Sequence, residues 1–397
     1  MPEGATLGAL KEQIAAQLGV AVADQVLSLE QGLLTAVESG AFGDLQDAGA
    51  TLKQLGVRHG AMVFLKYDFV REVASTVPKH ALETRTFGDK MTMDDLIALQ
   101  TRIDRQEKPK VASLSLDRRA ANVFQGYISQ ALQFSIKRGG IMYGTVNEEL
   151  EVRVDFIYEP PQDNSKTGLA LHTATEEQEV VDKLAEILGL KKVGLIFSQS
   201  TAEVEQEHLL STGEIVTMGR MQAAEGETFT TAVVSLTEDD EGAVQISFEA
   251  YQCSEQCAGL VADGWFEGSP LDTGVSELTD PRDPKIEKPV VVAGRDAKQV
   301  DNEWFLCPVK ILDHEGPLRC DFPVENRLTA QGKAELKSYL RGEGSMARAM
   351  ADFHVLLYLA KQPNFDFNDI ALLAAAVASG EEIGEGYRLI IEGYAGM

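Results

Sequence analysis

Few residues in this 397-residue chain are equipped for chemistry. Cys253 and Cys257 stand one helical turn apart in CSEQCAGL, a spacing that could present two thiolates to a metal. No second Cys or His pair accompanies them, so two small buried side chains are the simpler reading. The histidines, at 59, 80, 172, 208, 314 and 354, are scattered, and His354 lies inside the apolar run FHVLLYL as a core or interface residue. Ser198 sits between Phe197 and Gln199 at the end of the run VGLIF, and Ser211 precedes Glu214 in LSTGE. Neither serine belongs to a G-x-S-x-G elbow. The chain has no Walker loop, no G-x-G-x-x-G after a strand and no H-E-x-x-H. No cofactor is implied.

Bulk properties narrow the class further. The formal net charge is -26, which argues against a grip on the phosphate backbone of nucleic acid. Four cysteines in a chain of this length read as reduced thiols rather than a disulfide framework. The longest clean apolar run, IALLAAAVA, falls far short of the ~20 residues that span a bilayer. MPEGATLGALK carries no basic and apolar leader signature. A soluble protein of the cytoplasm and nucleus is expected.

The elements that would position these residues follow from periodicity. Leu7, Leu10, Ile14 and Leu18 share one helical face, VLSLEQGLL reads as a strand and turn, and 61–67 reads as a closing strand. Residues 69–110 look like a linker with one helix, MTMDDLIALQTRIDRQEK. From 111 the pattern is α/β. A helix starts near Asp117, and two strands surround the turn TVNEE. In the second strand Val152, Val154, Phe156 and Tyr158 alternate, the signature of a half-buried antiparallel strand. Thr175 and Gln178 predict a capping box, with Gly189 ending that helix. VGLIF and a hairpin with an acidic tip follow. Residues 263–303 read as an insertion or linker. Strands around WFLCPVKILD and LRCDFPVENR precede helices at 330–341, 345–361 and 367–379.

Two resemblances organise these pieces. PEGATLGALKEQI and TLKQLGVRHGAMVFL are similar to segments of ubiquitin, which implies a ubiquitin-like (UBX-like) β-grasp over 1–68 lacking its first hairpin, an absence we read as truncation. Residues 111–262 resemble the MPN, or JAMM, metalloprotease core: an α/β domain whose zinc is held by two histidines and an aspartate, with a glutamate as base. Gly140–Gly144, VGLIFSQS and LSTGE match its frame. The chemistry does not carry over. Lys137 stands where the glutamate belongs, Phe197 and Gln199 replace the histidines, and Glu214 replaces the aspartate; Ser198 and Ser211 alone keep the family identity. The resemblance implies an inactive pseudo-metalloprotease that binds no metal.

The segments KRGGIMYGTV, FIYEPPQ, LGLKKVGLIFS, ISFEAYQCSEQC, FPVENR and ADFHVLLYLA, in that order, resemble the nuclear protein localization 4 homologue family in its plant and algal form. The expected architecture is α+β and α/β: a truncated β-grasp, an MPN core with insertions, and a C-terminal domain over 304–397. The resemblance implies a non-enzymatic adaptor with no direct insertion into membranes. Its partners would be ubiquitin fusion degradation protein 1, the hexameric AAA+ segregase (valosin-containing protein), and ubiquitin and polyubiquitin chains. Its cargo would go to the proteasome, some of it from the endoplasmic reticulum surface. Zinc knuckles seen in many members are missing from 69–110, which holds no cysteine. Trp304, Phe305, Phe322, Pro323, Glu325, Asn326 and Arg327 are candidates for a partner groove. The alternative is a structural MPN subunit of a proteasome-lid or translation-initiation type assembly.

Overall fold

The computed structural model describes residues 5–18, 20–30, 33, 45–57, 61–67, 100–201, 208–238 and 243–397. It divides into two compact units, Met1–Lys90 and Met91–Met397.

In the first unit, α1 (Leu7–Leu18) is the expected helix. Strands β1 (Val26–Ser28) and β2 (Phe64–Lys66) pair antiparallel, with Leu27 opposite Leu65. Leu7, Leu27 and Leu45 form the small core, and Leu10, Ile14 and Leu65 pack against it. Apolar spacing of three and four residues along α1 thus places one stripe on the strand pair.

The second unit opens with β3 (Thr101–Ile103), which pairs parallel with a later strand. Half of the helix expected over 91–108, residues 91–99, lies outside the described residues, and 101–103 form a strand instead. Five further strands build the main sheet: β4 (Ser113–Asp117), β5 (Gly139–Val146), β6 (Glu151–Tyr158), β7 (Lys191–Ser198) and β8 (Thr230–Glu238). They continue into β9 (Val244–Cys253). The 263–303 segment, expected as irregular, forms β10 (Val275–Glu277), β11 (Val290–Val292), β12 (Arg295–Ala297) and β13 (Gln299–Asp301). Pairing explains the difference: β10 pairs with β13, and β11 lies between β12 and β3, so apolar Val290 and Val300 gain a core that no local periodicity announces.

Strands β14 (Leu306–Val309) and β15 (Ile311–His314) complete a sheet of order β14-β9-β8-β7-β5-β6-β4-β15. Only Lys310 separates β14 from β15, so the two edges are halves of one extended segment and the sheet closes on itself. The second expected strand, at LRCDFPVENR, is absent. The N–H groups of Asp321 and Phe322 bond the Asp352 carboxylate instead, at 2.7 and 2.9 Å, and Asn326 takes a left-handed φ of 55°.

Helices cover both faces of this sheet. On one face, Leu114, Val152, Val154, Ile196 and Val234 pack with Phe124 of α2 (Arg118–Gly126). On the other, Tyr143, Phe156 and Tyr158 pack with α3 (Glu176–Ile187) and the helical tail. The same face carries Leu195, Phe197 and Val233 against α4 (Thr212–Glu225) and α5 (Glu255–Ala262). The tail comprises α6 (Lys333–Gly342), α7 (Met346–Met350), α8 (Phe353–Ala360), α9 (Phe367–Ser379) and α10 (Glu385–Tyr394). The helix expected over 345–361 breaks where Asp352 caps α8 through the His354 N–H, at 3.0 Å.

Strand β6 departs from simple alternation. Its register against β5 jumps between Tyr143–Phe156 and Gly144–Val154, leaving Asp155 as the extra residue of a β-bulge. Val152 and Val154 therefore face one side while Phe156 and Tyr158 face the other. The sequence reading placed all four together. Gly144 permits the bulge, because a Cβ there would lie 1.8 Å from the Arg153 carbonyl oxygen.

Candidate functional site

The positions equated with a metal centre come together around β7 and the start of α4. Phe197 pairs with Gly139 on β5 and Val233 on β8, and its ring is fully buried beside Leu210, Ile215 and Met218. Glu214 sits at the third position of α4, where Ser211 caps the helix. The Ser211 hydroxyl accepts from the Glu214 N–H, and the carboxylate accepts from the Ser211 N–H at 2.8 Å. This capping box was readable as S-x-x-E in the sequence. The remaining carboxylate oxygen, Oε1, accepts from the Lys137 ammonium at 2.7 Å, and both side chains are buried.

Ser198 is equally committed. Its Oγ accepts from the Arg138 N–H at 2.9 Å, tying the end of β7 to the start of β5. Gln199 donates to the Leu209 carbonyl at 3.4 Å, and its buried Oε1 has no partner. Gln199, Glu214 and His208 line a cavity of about 130 Å³ with Phe134, Ser200 and Leu209.

These residues do not suit a zinc ion. A phenyl ring offers no lone pair, an amide oxygen is a poor donor to zinc, and an ammonium takes up the one carboxylate. Among the described residues, no three His, Cys, Asp or Glu side chains stand together as a metal site. Cys253 and Cys257 are buried, as the sequence suggested, and burial pushes the Cys257 thiol well up.

The candidate groove residues scatter. Phe305 is buried beside Phe266 beneath α4 and α5, while Phe322 is buried against Tyr339 and Tyr358 in the helical tail. Neither ring reaches an open surface. Trp304, Pro323 and Arg327 are half-buried and Asn326 is exposed.

Glu325 and Arg327 instead belong to a polar network that the sequence reading missed. Glu159, 1 % exposed, accepts from both Arg138 and Arg327, the former at 2.7 Å. Arg138 also donates to the Asn326 carbonyl at 2.8 Å, and both guanidinium groups lie over the Tyr127 ring. The Glu159 N–H donates to Glu325, whose other oxygen is 2.7 Å from His354 Nδ1. Burial opposes charge on His354, but the facing Glu325 carboxylate outweighs it and holds the ring well above 6.5. His354 Nε2 lies 3.4 Å from the Cys320 sulfur. Burial pushes that thiol up and hides it from any substrate, so the Cys–His–Glu chain is a structural contact rather than an activated nucleophile. The legible signal was charge placed inside apolar runs, Glu159 in FIYEPP and His354 in FHVLLYL.

The segments KRGG, FIYEPP, FPVENR and ADFH, distant in sequence, therefore meet in one buried cluster. The sequence of the chain matches that of a known family. The pattern of the NPL4 family matches residues 138–275, and that of nuclear pore localisation protein NPL4 matches residues 1–66. NPL4-like protein 2 of Arabidopsis thaliana is 41% identical over 401 residues, covering 99% of this chain and 95% of that protein. The chain belongs to the NPL4 family. The NPL4-like protein of Oryza sativa subsp. japonica is 40% identical over 403 residues, covering all of this chain and 95% of its own. The nuclear protein localization protein 4 homolog of Homo sapiens is 28% identical over 293 residues, 61% of this chain and 47% of that one. Of these three, the Homo sapiens relative is named for nuclear protein localization. No helix among the described residues is long and apolar enough to cross a membrane.

Proposed function

We propose that this chain is a non-enzymatic adaptor built on an inactive MPN core. It pairs with ubiquitin fusion degradation protein 1 and presents polyubiquitylated proteins to the hexameric AAA+ segregase for unfolding and proteasomal degradation. Work at the endoplasmic reticulum surface comes through partners, and the adaptor itself operates in the cytoplasm and nucleus.

The buried Lys137–Glu214 pair is the observation that supports this reading best. It places a fixed positive charge in the frame where a metalloprotease of this resemblance needs a cation-binding carboxylate and a base. A cation bonded to Glu214 in that position supports a structural reading of these residues over a catalytic one. Family membership supports the adaptor reading, and the ubiquitin-like resemblance of 1–68 is the ground for the proposed segregase contact. Trp304, Pro323 and Asn326 remain as surface candidates for a partner groove.

The test is a paired assay on the full chain with polyubiquitin chains of defined linkage. Saturable binding with no release of ubiquitin, with or without added zinc, is expected. Zinc-dependent release of ubiquitin, or no binding of any chain, overturns the proposal.

A further inference from the structure

Closure of the main sheet stops part-way along β9. Strand β14 pairs with Ala250–Cys253 alone, with Val309 opposite Ala250. Beyond it the Lys310 carbonyl accepts from the Leu114 N–H at 2.8 Å, and β15 continues against β4. The first part of β9, Val244–Glu249, therefore pairs with β8 on one side. Among the described residues, no backbone hydrogen bond reaches its other side.

Open edges of this kind are ordinarily guarded by a proline, a lysine, a bulge or a very short strand, each of which stops another chain from adding on. VQISFE has neither proline nor lysine. Its register against β8 runs unbroken from Glu238–Val244 to Thr231–Tyr251. At ~3.3 Å per residue the free edge is about 20 Å long, enough for a short strand to pair along it.

Side chains along the edge separate by face. Ile246 and Phe248 are half-buried and pack against the core that holds Val234 and Ala250, and Val244 beyond them is 62 % exposed. Gln245, Ser247 and Glu249 alternate onto the opposite face. There Gln245 is exposed, and the Glu249 carboxylate accepts from the Tyr251 hydroxyl at 3.0 Å. Charge is one-sided: residues 221–281 include no Lys, Arg or His, while 230–253 carry Glu238, Asp239, Asp240, Glu241 and Glu249.

We propose that the free edge of β9 takes an extended segment of a partner protein as an added strand, apolar at alternate positions and basic at those between. Backbone groups of Val244–Glu249 supply the ladder. The apolar residues of the segment continue the face of Ile246 and Phe248, and its cations lie beside Glu249. A second copy of this chain fits less well, because its own β9 edge carries the same acids and like charges opposed across strands repel.

Fluorescence anisotropy of the full chain tests this with three labelled peptides: a heptamer of alternating Lys and Val, its Glu–Val counterpart, and the Lys–Val peptide with every backbone N–H methylated. Saturable binding of the first alone is expected, with amide hydrogen exchange slowed over 244–249. Gln245→Lys should weaken it about threefold and Gln245→Glu tighten it about threefold, opposite signs that misfolding does not produce. Equal binding of the methylated peptide means charge adhesion without strand pairing and overturns the proposal. So does no saturable binding, protection confined to other segments, or one affinity shared by both Gln245 variants.

Discussion

The Lys137 ammonium and the Glu214 carboxylate lie 2.7 Å apart, with 0 % and 3 % of their side chains exposed. One residue leads into β5 and the other opens α4, so the pair ties sheet to helix. Removing either member deprives the other of this buried contact.

Replacing one partner is therefore costly. Lys137→Met and Glu214→Gln are each expected to destabilise the second unit by about 3–5 kcal/mol, measured by urea unfolding. Glu214→Gln also weakens the capping box of α4. Lys137→Met combined with Glu214→Leu recovers much of the loss, because no charge remains buried. A double variant less stable than both single ones contradicts this.

Restoring histidines alone will not restore zinc. Phe197→His with Gln199→His leaves Lys137 against Glu214, and the double variant is expected to bind zinc no better than the parent chain. Adding Lys137→Glu and Glu214→Asp removes the resident cation and supplies carboxylates, so zinc affinity should rise in the quadruple variant. Calorimetric titration with zinc separates the two. Tight binding by the double variant would show that the ammonium is no barrier.

Stability should depend on pH through His354. Its pKa is raised in the fold, so its contribution is complete below the ordinary value of 6.5 and is lost as pH rises through the raised value. The faces around it carry Glu325, Asp352 and Cys320. Asp352, pushed up by burial, favours the same direction. Burial alone would raise Glu325, but His354 holds it below 4.5, so the carboxylate's own contribution is complete above that value and is lost as pH falls through the lowered one. Thermal melts are expected to show Tm falling as pH is raised above neutral, with a flatter profile for His354→Gln. An unchanged slope in that variant would sink the assignment.

The Glu159 cluster should behave as structure. Glu159→Gln leaves Arg138 and Arg327 without their shared carboxylate and is expected to cost about 3–5 kcal/mol. Trp304→Ala, at a half-buried position, is expected to cost less in stability. Equal losses in denaturant would argue against this division.

Much of the architecture was legible because it rests on local rules. The α1 stripe, the β5–β6 hairpin and the Thr175 cap of α3, accepting the Gln178 N–H at 3.1 Å, were all written in spacing. The capping box predicted there lacks its reciprocal half: Gln178 turns inward and donates to the Tyr143 hydroxyl at 2.6 Å. Long-range pairing hid the rest. β10 to β13 are short strands: β10 meets β13 across the intervening hairpin and β11 takes the distant β3 as its second partner, while the Asp155 bulge depends on a register no single strand reveals. At the candidate site, the sequence reading equated Lys137, Phe197, Gln199 and Glu214 with metalloprotease positions by resemblance. It could not show that Lys137 and Glu214, seventy-seven residues apart, satisfy one another.

The most direct test of the adaptor account is reconstituted unfolding. A polyubiquitylated fluorescent substrate, the segregase, ATP and ubiquitin fusion degradation protein 1 are combined with and without the full chain. Loss of fluorescence only when the chain is present, undiminished by a zinc chelator, is predicted. Unfolding that proceeds equally without the chain, or none with it, contradicts the account.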